Sequence, residues 1–294
     1  MCGIALVLSK EVIDVNEIDT QECRRIRKEI FLTAYHSGVT HVSSGFSCLE
    51  ILYSLYMKGI LKIDPQNPND PKRDKLILSK GHAGLTLYAM LAERGFFDKK
   101  KLSGFLKPDA HIGGEPLIHE LEGIETSTGS LGHGLSVGVG MALAQKINGY
   151  DSKTFVILGD GEIEEGSVWE AAESAAAFKL NNLVAILDKN DLQKMDLVEN
   201  TIGNTNWEMK WRAFGWDIIN VENGNDTDQL ITALNKPYDS EKPRMIICNT
   251  IKGKGVSIME NNVKWHFKLP TKAKELRCFC DELGIEEGEL KKLC

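Results

Sequence analysis

Two oxygen-bearing side chains set 30 positions apart carry the clearest chemical signal in this sequence. Asp160 lies in Gly159-Asp160-Gly161, directly after the apolar run 154–158 (TFVIL). Asn190 lies in Asp188-Lys189-Asn190, directly after the apolar run 183–187 (LVAIL). Short β-branched runs of this kind read as buried strands. Glycines on both sides of Asp160 allow a sharp turn and a close approach of a bulky anion to main-chain N–H groups. If the two strands are parallel neighbours joined by a helical crossover, Asp160 and Asn190 meet at the same sheet edge. One carboxylate, one amide oxygen and one backbone carbonyl form an oxygen-only set. Such a set suits Mg²⁺, with phosphate oxygens and water in the remaining positions. A glycine-flanked Asp alone is ordinary in a turn; the second strand end 30 residues on makes the pattern specific.

Histidines recur near other expected strand ends. His82 follows the apolar run 75–79 (KLILS) in a Lys80-Gly81-His82 turn, and His266 follows a glycine-spaced run that begins at Ile251. A lone histidine is ordinarily a surface or a satisfied core residue. Beside a diphosphate or an alkoxide, however, its hydrogen-bonding and charge are chemically apt. Gly129, Gly132 and Gly134 are too dense for a helix interior, so the spacing predicts a loop opening a helix, again apt for an anion. Lys252 and Lys254 read as a solvated turn without an assigned role.

The elements that must position these groups alternate. Strands are expected at 75–79, 154–158, 183–187, 216–221 and 245–250, with helices at 83–94, 167–178 and 227–234 between them. Helical patterns at 19–37 and 47–61 precede the first strand, and the proline-bearing segment 62–74 reads as a loop. The fold class is therefore α/β: one domain over 1–294, a parallel sheet with helices on both faces, a helical N-terminal lead-in and a short helical C-terminal segment. In such sheets ligands sit at the carboxyl ends of the strands.

Composition excludes several functions. The 294 residues carry 42 acidic and 35 basic side chains, a net charge of −7. That balance argues against general binding to nucleic acid or anionic membranes. No apolar run approaches the roughly 18–20 residues of a membrane helix. The N-terminal MCGIALVLSKEVID lacks a basic n-region and a small-residue cleavage site, and is expected to be mature sequence. The seven cysteines are odd in number and scattered, which favours reduced thiols in a cytoplasmic protein over a disulfide framework.

The strand–GDG–helix–strand–Asn pattern is that of the thiamine-diphosphate binding motif, and the chain resembles the N-terminal, diphosphate-binding half of transketolase in its split, two-subunit form. The resemblance extends through ILSKGHAGLTLYAML at 77–91, GIETSTGSLGHGLSVGVGMALA at 123–144, NTIKGKGVSIMENNVKWH at 249–266 and, more weakly, HVSSGFSCLEILYSLY at 41–56. It implies the fold of the diphosphate-binding domain, thiamine diphosphate and Mg²⁺ (or Ca²⁺ or Mn²⁺) as cofactors, and two-carbon ketol transfer from a ketose or ketose phosphate to an aldose.

Carried over by resemblance, Asp160, Asn190 and the carbonyl of Leu192 are metal ligands. His82, Gly129, Leu131, Gly161, Glu162, Asn190 and His266 contact the cofactor. His41, His82 and His266 are catalytic, with His41 and His266 meeting substrate hydroxyls. Glu165 and Glu170 lie at a subunit contact. The Glu that activates the cofactor lies on the other half of the enzyme, so the chain is expected to be inactive without a C-terminal partner subunit, the expected assembly being α₂β₂. Three departures touch sugar recognition. Glu115 stands where the family has a donor-contacting His, with His111 and His119 as flanking substitutes. His133 replaces a Gln, and Phe267 replaces a small residue and narrows the site. Two alternatives stay open: another thiamine-diphosphate enzyme, either 1-deoxyxylulose-5-phosphate synthase-like or keto-acid decarboxylating, and a non-catalytic scaffold subunit.

Overall fold

The computed structural model describes residues 15–38, 41–203, 205–237 and 241–291. The N-terminal apolar patch, Cys2 and Cys294 lie outside them. The first helices are α1 (Val15–Ser37), α2 (Val42–Ser47) and α3 (Leu49–Met57). Then come β1 (Lys75–Leu78), a short 3₁₀ turn at Gly81–Ala83, α4 (Gly84–Arg94) and α5 (Gly134–Ile147). The alternating part contains β2 (Thr154–Gly159), α6 (Gly166–Ala177), β3 (Leu183–Lys189), α7 (Val198–Thr201), α8 (Trp207–Ala213), β4 (Asp217–Val221), α9 (Thr227–Leu234) and β5 (Arg244–Asn249). Two helices, α10 (Ala273–Leu283) and α11 (Glu287–Lys291), close the described chain.

All strand pairs are parallel, in the order β1-β2-β3-β5-β4. Successive strand side chains point to opposite faces, and the two cores follow that alternation. Phe155, Ile157, Val184, Ile186 and Ile246 pack on one face with α1, α3 and α4. Val156, Leu158, Ala185, Leu187 and Ile247 pack on the other with α5, α6 and α8. Burial on both faces explains why the strands read as continuous apolar runs.

Each expected strand is present, with ends shifted by one or two residues. The helix expected over 47–61 is shorter, α3 running only from Leu49 to Met57, and Cys48, with φ of −103° and ψ of 9°, separates it from α2. The register places Gly159 beside Asp188 and Lys189 beside Asn249. The residues following β1, β2, β3 and β5 therefore emerge at one edge of the sheet.

Candidate active site

Four strand ends deliver His82, Asp160, Asn190 and Lys252 to one cleft of about 610 Å³. Its lining also includes His41, Glu115, Gly129, Leu131, Gly161, Leu192 and His266. A larger hollow, of about 700 Å³, lies between α1 and the segment 99–108 and holds none of these strand-end residues.

Asp160 is only 4% exposed. Its Oδ1 accepts from Gly161 N (3.0 Å), and its Oδ2 accepts from Asn190 N (2.9 Å) and Asp191 N (2.6 Å). Among the described residues no cation forms an ion pair with it. Burial first, and the negative Asp188 second, push its carboxyl up to about 6, against the pull of Lys252 and Lys80. A buried carboxylate without a counter-ion, sharing a cleft with the Asn190 side chain and Leu192, is a fit donor set for a hard divalent cation. Among the described residues no group of three or more His, Cys, Asp or Glu side chains is arranged to hold a metal ion. Any metal here would thus rest on this mixed oxygen set.

Lys252, given no role by the sequence, also lines the cleft. It is 3% exposed, and among the described residues its Nζ has only long hydrogen-bond contacts, 3.4 Å to Ser44 Oγ and 3.5 Å to Leu192 O. Burial, then the like charge of Lys80, pulls its ammonium down to about 8. A buried cation held this weakly is a natural partner for an anion such as a phosphate. Its place just beyond β5, equivalent to those of His82 and Asp160, was the available signal. A Lys-Gly-Lys run on its own reads as a solvated turn.

The three histidines converge. Ring centroids of His41 and His82 are 5.4 Å apart, those of His41 and His266 5.6 Å, and those of His82 and His266 6.1 Å. All are held towards the neutral form. Burial and then Lys80 pull His82 well down; burial and then Lys252 lower His41 and take His266 to about 3. The buried Nδ1 of His266 has no hydrogen-bond partner among the described residues, which leaves it for a ligand. These depressed values destabilise the fold in acid. Above the ordinary histidine pKa of about 6.5 both folded and unfolded states are neutral, and below it only the unfolded chain gains protons, so stability falls with pH. His266→Gln is therefore expected to lose less of its urea midpoint than the wild type between pH 7.5 and pH 5. An equal loss in both proteins would contradict this assignment.

Two loops pack together at one side of the cleft. Any Cβ on Gly81 would sit 2.6 Å from Gly129 N, so the Lys80-Gly81-His82 turn packs directly on the Gly129 loop. Gly129 has φ of +138°, and a Cβ there would overlap Glu115 Oε2. Glu115 is held there by its neighbour, since Thr128 N donates to Pro116 O at 2.9 Å.

Several expected site residues are placed differently. Glu162 lines the cleft, but its carboxylate is fully engaged: Oε1 accepts from Ser79 Oγ and from Gly132 N (3.0 Å), and Oε2 from Gly159 N (3.0 Å). These bonds tie it to the loops around the cleft. His111 and His119 line a separate hollow with Lys100 and Lys101, so neither takes over the position of Glu115 in the cleft. His133 is an exposed residue at the start of α5 and does not line the cleft. Phe267 stands against His41, their ring centroids 4.8 Å apart. Glu165 and Glu170 are both exposed; Glu165 borders the cleft and Glu170 does not.

The family described as "Transketolase, thiamine diphosphate binding domain" matches residues 24–291. The chain belongs to the transketolase family. Among its relatives, one of the named subunits of the apulose-4-phosphate transketolase of Phocaeicola vulgatus is 40% identical over 258 residues, covering 87% of this chain and 91% of that protein. The 6-deoxy-6-sulfo-D-fructose transketolase subunit SqwG of a Clostridium species is 38% identical, covering 85% and 91%. The crystal structure of Campylobacter jejuni transketolase superposes with a TM-score of 0.83 at 27% identity, covering 94% of this chain and 45% of that one. The chain thus spans under half of that transketolase and nearly all of the two subunit relatives. The α/β fold and the family expected from the motifs are both borne out. No helix among the described residues is long and apolar enough to cross a membrane.

Proposed function

We propose that this chain is the diphosphate-binding subunit of a two-subunit transketolase, a single domain that moves a two-carbon ketol unit from a ketose or ketose phosphate to an aldose. The convergence of Asp160, Asn190, Lys252 and three neutral histidines on one cleft carries this reading. The names of the subunit relatives support the division into two chains.

In this reading Mg²⁺ rests on Asp160, Asn190 and the carbonyl of Leu192. Gly161, His82 and Lys252 would hold the diphosphate, and Gly129 and Leu131 would meet the rings. Thiamine diphosphate, when bound, supplies a carbon nucleophile. The protein holds it in place and manages protons and oxyanions around it. Neutral His41 and His266 each keep one donor and one acceptor nitrogen, so each can donate to a developing oxyanion and accept from a hydroxyl. The Nδ1 of His266, unpartnered in the protein, is suited to the substrate. Glu115, an acceptor when ionised, takes a hydroxyl of the donor sugar.

The partner supplies the pyrimidine-binding half, in an α₂β₂ assembly with Glu165 and Glu170 at a subunit contact. A cytoplasmic location fits the buried thiols of Cys23, Cys48 and Cys248. The test is to assay the purified chain with thiamine diphosphate and Mg²⁺, with and without its partner subunit. Two-carbon exchange between sugars is expected only from the pair. Full exchange by the lone chain overturns the split, and pyruvate consumption with CO₂ release overturns the reaction.

A further inference from the structure

We propose that Lys194 is a specificity residue at the rim of the cleft, selecting sugars that carry an anionic group, such as a terminal phosphate, on the end away from the transferred carbons. The proposal rests on the ketol-transfer reading above and names the substrate class for that site. Lys194 lines the cleft from the loop after β3, four residues past Asn190. It is the only exposed cation among the described lining residues. The other two lysines of the lining, Lys80 and Lys252, are buried. Among the described residues no carboxylate forms an ion pair with Lys194. The acids nearest in the chain are engaged elsewhere: Asp191 pairs with Lys189, and Glu164 accepts from the Gln193 amide at 2.7 Å. The ammonium therefore faces the cleft with its charge uncommitted.

The remaining exposed charges of the lining, Glu115 and Glu165, are negative. Glu115 packs on Gly129, which packs on the Gly81 turn after β1. Glu165 follows β2, and β2 lies between β1 and β3 in the sheet. The rim is thus negative towards β1 and β2 and positive towards β3. Such a rim orients a ligand whose charge sits at one end. An anionic end is drawn to Lys194 and repelled by Glu115 and Glu165, which leaves the hydroxylated reacting end to the histidines. The charge of Lys194 also belongs to the histidine side of the cleft. It is felt at His41 and His266, whereas Lys80 and Lys252 are the cations that act most on His82 and Asp160. An anion at Lys194 is therefore distinct from the diphosphate that the buried floor would hold.

The experiment uses the chain reconstituted with its partner, thiamine diphosphate and Mg²⁺. Initial rates are measured with D-xylulose and with D-fructose, each with and without a terminal phosphate, at low and at high salt. The wild type is expected to favour the phosphorylated donors in kcat/KM. Lys194→Met is expected to cut that preference about 10-fold, the order expected for one hydrogen bond to a charged group, chiefly through a higher KM for the phosphorylated donors. Lys194→Glu is expected to cut it further, and Lys194→Arg, which keeps the charge, to retain most of it. Added salt is expected to erode the preference more in the wild type than in Lys194→Met. A preference unchanged in both Lys194→Met and Lys194→Glu overturns the proposal, as does a wild type indifferent to the phosphate. So does a loss of thiamine diphosphate affinity in Lys194→Met with the preference intact, because the ammonium would then serve the cofactor. Weaker assembly with the partner and an intact preference overturns it as well. Failure of the wild-type pair to move a two-carbon unit from any of the four donors overturns the assigned reaction itself, a result distinct from failure of the role given to Lys194.

Discussion

Asp160→Ala is expected to eliminate Mg²⁺-dependent binding of thiamine diphosphate, with affinity lowered at least about 100-fold. Even residues that only orient metal ligands cost 10- to 100-fold when removed, and Asp160 is the sole carboxylate of the proposed oxygen set. It also ties Gly161, Asn190 and Asp191 together through three backbone N–H bonds. Alanine would orphan those donors and loosen the turn that presents Asn190. Asp160→Asn separates the two effects, because it keeps an acceptor and the side-chain volume but deletes the charge. Calorimetric titration of the reconstituted pair with thiamine diphosphate, with and without Mg²⁺, gives the readout, and a thermal melt confirms that each variant is folded. Wild-type affinity in both variants would show that the metal, if any, is held elsewhere.

Lys80→Met is expected to lower folding stability by about 3–5 kcal/mol, the usual cost of leaving one member of a buried ion pair alone. Lys80 and Asp188 are 2% and 0% exposed and are 2.5 Å apart. Lys80 also donates to Ser44 O at 2.9 Å, while Asp188 accepts from Ser47 Oγ at 2.6 Å and from Thr250 Oγ1. Burial alone would raise the Asp188 carboxyl, but Lys80 and these donors outweigh it and hold it below the usual range. Its contribution to stability is therefore present above a pH of about 4 and fades on acidification through the lower folded-state value. Without Lys80 the carboxylate keeps its hydroxyl donors and loses its counter-charge. Lys252, which Asp188 also attracts, compensates in part and places the expected loss nearer the lower end of the range. Urea denaturation of Lys80→Met and of the double variant Lys80→Met/Asp188→Asn provides the measurement. The double variant is expected to recover most of the loss, and a single-variant loss below about 1 kcal/mol would contradict the role given to the pair.

Local pattern made part of this site legible. Asp160 and Asn190 could be read because each ends an apolar run, and the 23 residues between β2 and β3 are ample for the helical crossover that a parallel pair needs. His82 and His266 were readable for the same strand-end reason. The pairing of β3 with β5, which puts β4 at the edge, was not, since nothing local distinguishes those runs. The burial of Lys80 was equally hidden, because its partner lies 108 residues away. For Glu162 the resemblance implies a place at the cofactor, while only the fold shows that both its oxygens accept from Ser79, Gly132 and Gly159. Glu115 and Phe267 were visible as unusual residues at their positions, but only the packing of one on Gly129 and the other on His41 gives each a physical setting.

That engagement of Glu162 has a further consequence. Ser79 comes from the end of β1, Gly132 from the loop before α5 and Gly159 from the end of β2, so a single side chain rivets three separate stretches of backbone. These stretches lose their freedom when the chain folds, long before any vitamin-derived guest arrives. Docking then resembles a key entering a cut lock, and the ordering entropy that flexible receptors surrender on capture has already been settled at this end of the seat.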